Sequence, residues 1–348
     1  MAGRVIQSKD PLKDFYISFE EKSKSINSLS TRIESEQDVL NLFHWLSKAK
    51  EKGYMIFRGT TESNYKHYSH SQRQFSPLMH TEESFELFYE LIIDSVEYAK
   101  EWNHGTIKNY LLKRGIEGNL FAYLSLMQHY GIPTPLIDFT RNPYVALFFA
   151  TKKTLEHKNQ GDIKDYCSLY FINSNYKYLN GFGRHFENTI EVNLRNGYSK
   201  ERAFFYGLRF TPHLIIDEND QLFQINNNIN IVNQEGLFIL NGEPHQPLED
   251  QHSLQMEMRN ESLKKNSTDE ANFISTKMFG CWEIHKSMNA YIINKLFDEM
   301  GITYSFLFPD MQRLRSDFER EFEFPSNFDV SREGNYWKKR ERAIKYNL

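Results

Sequence analysis

Three short segments carry residue types that packing alone explains poorly. In Phe57-Arg58-Gly59-Thr60, an arginine ends an apolar strand and a glycine follows it. A guanidinium presents five donors in a rigid fork suited to phosphate or ribose, and glycine lets a ligand approach the backbone. The competing reading is an Arg whose stem lies along apolar surface at a strand end. In the second segment, Gln128-His129-Tyr130-Gly131 leads through a Pro-rich turn to Leu136-Ile137-Asp138-Phe139-Thr140. Asp138 and Thr140 lie two apart on an expected strand and therefore share a face. They read either as chemistry or as caps for the helix that follows. The third segment, Asn233-Gln234-Glu235-Gly236, is a polar interruption in the otherwise strand-like run from Ile229 to Leu240. It reads either as a bulge approached by ligand or as a hairpin turn.

Other chemistries lack their residues. No G-x-x-x-x-G-K-[ST] loop, G-x-S-x-G elbow or H-E-x-x-H helix occurs, and Gly181-Phe182-Gly183 lacks the third glycine of a dinucleotide fingerprint. His67-x-x-His70 has no further ligand at metal spacing, so no metal is expected. Arg209 and His213 are close enough for a nuclease pair, but Pro212 between them breaks the helix such a pair would need.

The elements that must position these residues follow from pattern. Ser35 with Asp38 caps a helix that Gly53 closes, and a strand from Tyr54 to Phe57 delivers Arg58. Helices are expected around Phe85 to Val96, from Thr106, and from Gly118 to Gly131. Asn142-Pro143 starts another, an Asn cap with Pro at the first helical position. Strands are expected at Ser168 to Ile172, Glu191 to Leu194, Leu222 to Ile225, Ile229 to Val232 and Leu237 to Leu240. Helices close the chain at Leu254 to Lys265 and Lys286 to Met300. This divides the chain into a lead-in at 1–34, a core at 35–250, and a helical section with tail at 251–348 packed on the core.

The 348 residues are enough for a sizeable core, and 28 Phe, 20 Tyr and 4 Trp exclude wholesale disorder. With 42 Lys and Arg against 46 Asp and Glu, the net charge of −4 provides no global field toward nucleic acid or an anionic membrane. A basic cluster at Lys338 to Arg342 is interrupted by Glu341 and reads as a solvated tail. The longest apolar run, Val145 to Ala150, is far too short to span a bilayer. Two cysteines, no signal-like N-terminus and no membrane span place the expectation in the cytoplasm.

Phe57-Arg58-Gly59, the run Gln128 to Ala150 and Asn233-Gln234-Glu235-Gly236-Leu237-Phe238 resemble the FRG domain family, named for its Phe-Arg-Gly motif. Leu307-Phe308-Pro309-Asp310 resembles that family's C-terminal motif, while Pro135 stands where the family often has Arg or Lys. The order of the segments also resembles ADP-ribosyltransferases of the split-sheet type. That second resemblance implies an α+β fold, a mixed sheet split around a cleft, with inserted helices and a helical C-terminal section. It implies NAD as substrate, held by Arg58, Gly59, Thr60, His129, Tyr130 and Thr140. It gives Glu235 the carboxylate that stabilises an oxocarbenium-like ribose, with Gln234 and Asp138 as alternates. Only one of Gln234 and Glu235 faces a cleft if both lie on a strand.

The function this implies is NAD-dependent ADP-ribosyl transfer to a macromolecular acceptor, protein, RNA or DNA. The setting it implies is a bacterial toxin or phage-defence effector, with an antitoxin or regulatory protein as partner. The rivals are a nucleotide sensor using the same cleft without turnover and a metal-dependent nuclease.

Overall fold

A computed structural model describes residues 14–26, 30–75, 84–116, 120–152, 162–173, 195–197, 213–215, 225, 227–250 and 279–309. The expectations for Glu191 to Leu194, Leu254 to Lys265, Arg209 and the basic tail lie outside these residues, as does all of the expected strand Leu222 to Ile225 except Ile225 itself. Two units divide the chain, 1–302 and 303–348. In the second, Thr303 caps a short helix, Tyr304–Leu307, by accepting from Phe306 N at 3.0 Å.

The first unit is α+β. Its elements run α1 (Phe19–Ile26), β1 (Ser30–Ile33), α2 (Glu36–Lys52), β2 (Met55–Thr60), α3 (His70–Phe75), α4 (Ser84–Lys113), α5 (Leu120–His129), β3 (Leu136–Thr140), α6 (Pro143–Thr151), β4 (Tyr166–Asn173), β5 (His213–Ile215), α7 (Ile229–Asn233), β6 (Gly236–Leu240), β7 (Phe279–His285) and α8 (Asn289–Met300). The strands form one mixed sheet in the order β1-β7-β4-β2-β3-β6-β5, parallel only between β1 and β7. Both the expected lead-in and the expected C-terminal section therefore contribute strands to the sheet: β1 lies within residues 1–34 and β7 within 251–348.

Local chemistry explains several boundaries. Ser35 and Asp38 bond reciprocally at the start of α2, and Gly53 closes it at φ +70. Asn142 accepts from Tyr144 N at 3.1 Å, with Pro143 opening α6. The helix at 84–113 breaks at Trp102–Gly105, where Asn103, His104 and Gly105 take positive φ, so the two helices expected there are present.

Two strand expectations need correction. Ile229 to Val232 is helix α7, because the Asn228 side chain caps it by accepting from Ile231 N at 3.1 Å and Ile231 enters the core. Arg58-Gly59-Thr60 continues β2 rather than following it.

Register assigns the faces. Ile56, Arg58 and Thr60 face the same way as Ile172, Tyr170 and Ser168 of β4, and as Phe279, Cys281 and Glu283 of β7. The opposite face carries Phe57 and Gly59, against which α2 and α6 pack. Trp45 of α2 touches Phe57, Phe171 and Trp282 there. Along β3 and β6, Leu136, Phe238 and Leu240 join α4 and α5 in one apolar cluster, while Ile137, Phe139, Leu237 and Ile239 join Ile56, Ile172 and Phe279 on the other face.

Candidate functional site

The sheet has a weak joint. β2 pairs with β4 at six positions and β3 with β6 at five, but β2 and β3 share a single registered pair, Phe57 with Thr140. Past that pair the ladder stops, and the Arg58 side chain crosses the joint. Its Nη1 donates to the main-chain carbonyl of Asp138 at 2.6 Å, and its guanidinium lies 6.0 Å from the centroid of the Phe139 ring. Burial pulls the Arg58 pKa down and the Asp138 charge opposes it; a guanidinium stays charged under such shifts.

Asp138 and Thr140 do share a face, the one bearing the helices. Arg58 and Asp138 therefore meet through a backbone carbonyl, with side chains on opposite faces. The Asp138 carboxylate is exposed and accepts from Gln128 Nε2 at 3.0 Å, and Thr134 donates to Gln128 Oε1 at 2.5 Å. This gathers Gln128, Thr134 and Asp138 at the end of α5. His129 contacts the Asn230 amide of α7 at 3.1 Å, and the adjacent Tyr130 is 72% exposed, an aromatic face open to a partner.

Gln234 and Glu235 are not on a strand. They form the turn between α7 and β6, so strand alternation does not decide between them. Thr140 Oγ1 donates to the Gln234 carbonyl at 2.5 Å and Arg141 N to the Glu235 carbonyl at 3.0 Å, binding the turn to the end of β3. Glu235 takes φ +46, a left-handed backbone that costs a non-glycine residue about 1–2 kcal/mol. Its carboxylate accepts from Asn142 Nδ2 at 2.8 Å, lies 3.7 Å from Lys50 Nζ and is 44% exposed. The close approach that glycine permits at 59 is that of α6. A Cβ built there would stand 1.9 Å from the Ala146 carbonyl oxygen. Thr60 is buried, with Oγ1 unpartnered.

Beneath Arg58, on the face away from these helices, lies a buried polar layer that sequence reading did not identify. Lys22 of α1 meets Glu283 Oε1 at 2.6 Å, the Ser63 carbonyl at 2.8 Å, Ser63 Oγ at 2.9 Å and Ser168 Oγ at 2.8 Å. Glu283 Oε2 also accepts from Ser63 and Ser168. Alongside, Glu249 accepts from the Tyr16 hydroxyl at 2.5 Å, the His67 backbone N–H at 3.2 Å and His67 Nδ1 at 3.1 Å. Burial alone would raise the Glu249 pKa, but its pairing with His67 and the hydrogen bonds it accepts hold it down, at about 2. Burial lowers that of His67, and the Arg58 and Lys22 charges add to the effect while Glu249 opposes it. The one sequence signal for this layer is an acid, Glu283, in the middle of a mostly apolar strand. Among the described residues no group of three or more His, Cys, Asp or Glu could hold a metal ion, and no helix is long and apolar enough to cross a membrane.

The segment from the Gly53 cap through β2, α4, α5, β3 and α6 is the part that has a recognised counterpart: residues 53–159 match the model of the FRG domain. No curated protein and no solved structure matches the chain. Arg58, Asp138 and the Asn142-Pro143 helix start fall inside the match, whereas Glu235, Glu249 and Glu283 fall outside it. A β2 strand whose Phe-Arg-Gly places the phenylalanine under Trp45, the arginine across the joint and the glycine against α6 thus lies in the part of the chain, residues 53–159, that matches the FRG domain.

Proposed function

We propose that the protein is an NAD-dependent ADP-ribosyltransferase acting on a macromolecular acceptor. The observation that carries this reading is the convergence of three segments on one joint. The strand of Arg58, the strand of Asp138 and Thr140, and the turn of Gln234 and Glu235 come together through adjacent β2, β3 and β6. The single-pair joint between β2 and β3 supports a split-sheet architecture of the ADP-ribosyltransferase type.

In this reading Glu235 is the working carboxylate. It is half-exposed, held by the Asn142 amide, and kept in a backbone conformation that costs energy; such strain gathers at functional positions. When the glycosidic C–N bond breaks, nicotinamide leaves with the bonding electron pair and C1′ of the ribose becomes positive. A carboxylate at the ribose hydroxyl stabilises that charge in the transition state. The acceptor's nucleophile then bonds C1′ and loses its proton to solvent or to a neighbouring carboxylate. Lys50, beside Glu235, supplies positive charge for the pyrophosphate, and Tyr130 offers a ring for stacking. Thr140 and Arg58 act by holding the joint, and Asp138 is the second carboxylate, fixed by Gln128.

The test is nicotinamide release from NAD by purified protein, alone and with protein, RNA or DNA acceptors. Release by the parent that Glu235→Gln abolishes supports the assignment. Loss in Asp138→Asn with retention in Glu235→Gln transfers the carboxylate role to Asp138. No release with any acceptor, alongside measurable NAD binding, identifies a nucleotide sensor instead.

A further inference from the structure

Glu235 sits in the turn between α7 and β6 at φ +46, a backbone that glycine or asparagine would adopt more cheaply. Three hydrogen bonds to main-chain groups fix the turn. The Glu235 N–H donates to the Val232 carbonyl at 3.0 Å, and the Glu235 carbonyl accepts from Arg141 N at 3.0 Å. Thr140 Oγ1 donates to the carbonyl of the preceding Gln234 at 2.5 Å. The Glu235 side chain then meets the start of α6, where Asn142 Nδ2 donates to its Oε1 at 2.8 Å.

Asn142 is buried and has each of its other polar groups committed. Its N–H donates to Thr140 Oγ1 at 2.9 Å, its carbonyl accepts from Ala146 N at 3.2 Å, and its Oδ1 accepts from Tyr144 N at 3.1 Å as the cap of α6. A backbone N–H can only donate, so the cap fixes which end of the amide faces α6. The rotated amide would set two donors against each other at Tyr144 and an oxygen against the Glu235 carboxylate. Lys50 Nζ lies 3.7 Å from the same Oε1. Both donors thus gather on one oxygen. Glu235 Oε2 has no donor from the described residues, on a side chain that is 44% exposed.

We infer that Asn142 is the positioning residue of Glu235: the cap of α6 orients the Asn142 amide, the amide holds Oε1, and Oε2 is thereby presented to the ribose hydroxyl. The presentation to ribose rests on the reading of Glu235 as the working carboxylate; the positioning itself does not. The choice of cap follows from this double task. Asn, Asp and Ser cap helices about equally well. An ionised Asp has no donor for Glu235, and the Ser hydroxyl stops one bond short of where the amide nitrogen stands.

Nicotinamide release from NAD by Asn142→Ser and Asn142→Asp, beside the parent, tests the catalytic part. Asn142→Ser keeps a good cap, and its urea midpoint checks that α6 is intact. Its kcat is expected to fall about tenfold or more, with KM for NAD within about twofold of the parent's. In Asn142→Asp two carboxylates face each other, and one shared proton restores a donor. Its release relative to the parent's should therefore rise as pH is lowered from about 8 to about 6, whereas that of Asn142→Ser should not. A parent-like kcat in Asn142→Ser overturns the inference. Proton–nitrogen NMR of the Asn142 side-chain amide, in the parent and in Glu235→Ala, reads the positioning without turnover. One amide proton displaced downfield in the parent and returned toward its partner in Glu235→Ala is expected; identical amide signals in the two proteins sink the inference. If the parent releases no nicotinamide while the amide signal depends on Glu235, the transferase reading fails and the positioning of Glu235 stands.

Discussion

Arg58 reaches from β2 to the main-chain carbonyl of Asp138 on β3, 2.6 Å away, at the point where the two strands cease to pair. The contact does for the joint what a further rung of the ladder would do, from a side chain instead of a backbone amide. Hydrogen bonds from charged donors contribute about 1.5–3 kcal/mol. Arg58→Lys keeps the charge but loses the planar fork, so the variant is expected to unfold about 1–3 kcal/mol more easily in urea. Amide hydrogen exchange along β3 should also quicken. Unchanged stability together with unchanged exchange would show that the joint does not rely on this bond.

The glycine after it supports packing of α6. A Cβ at residue 59 would lie 1.9 Å from the Ala146 carbonyl oxygen and 2.6 Å from the Ala150 nitrogen, both backbone atoms of α6 that cannot step aside singly. Overpacking of this kind costs about 1–3 kcal/mol or more, and Gly59→Ala is expected at or above the top of that range. Gly131→Ala is the control: its Cβ meets nothing within 4 Å, and its cost is only that of φ +74, about 1–2 kcal/mol. If Gly59→Ala is as stable as the parent and loses only ligand affinity, the residue serves a ligand and the packing account fails.

Elements whose limits are written in local chemistry were legible from sequence. The Ser35–Asp38 box, the Gly53 stop and the Asn142-Pro143 start depend on residues a few positions apart, and all three occur as expected. The run Ile229 to Val232 misled because its three apolar residues, Ile229, Ile231 and Val232, are all β-branched and fit a half-buried strand or a single helical turn equally well. The Asn228 cap and the place of Ile231 in the core decide it. The polar layer was illegible for a different reason. Ser63 and Glu283 are 220 residues apart in the chain, and nothing near either announces the other. The same applies to β1, whose partner β7 comes almost at the end of the described chain. At the candidate site the residue types were legible, but the faces were not. That Arg58 and the Asp138 carboxylate point to opposite sides follows only from the register Phe57–Thr140.

Acid should destabilise the protein in two stages. Burial lowers the His67 pKa in the folded state, so as pH falls below the ordinary imidazole value of about 6.5 the unfolded chain takes up a proton that the folded chain refuses, and stability drops. Glu249 acts at lower pH. Its folded pKa is held down at about 2, so its contribution is complete above the unfolded carboxylate range and disappears as pH falls from about 4.5 toward 2. Urea midpoints measured from pH 7.5 to 5 should decline in the parent and decline less in His67→Phe. Equal slopes in the two proteins would show that His67 does not titrate differently on folding.

Lys22 and Glu283 form a pair 1% and 0% exposed, so removing either partner strands a charge away from water. Breaking a buried pair in this way costs about 3–5 kcal/mol, whereas replacing both charges with apolar groups can be close to neutral. Lys22→Met and Glu283→Met should each fall in that range. The double variant should lose less than the sum, with a coupling of about 0.5–3 kcal/mol in a double-mutant cycle. Ser63 and Ser168 set the limit to recovery, because both bond to each member of the pair and would keep unmet hydroxyls in the double variant. Strict additivity in the cycle would mean that the two charges are stabilised separately by these serines and that α1 is held to the sheet by something other than the ion pair.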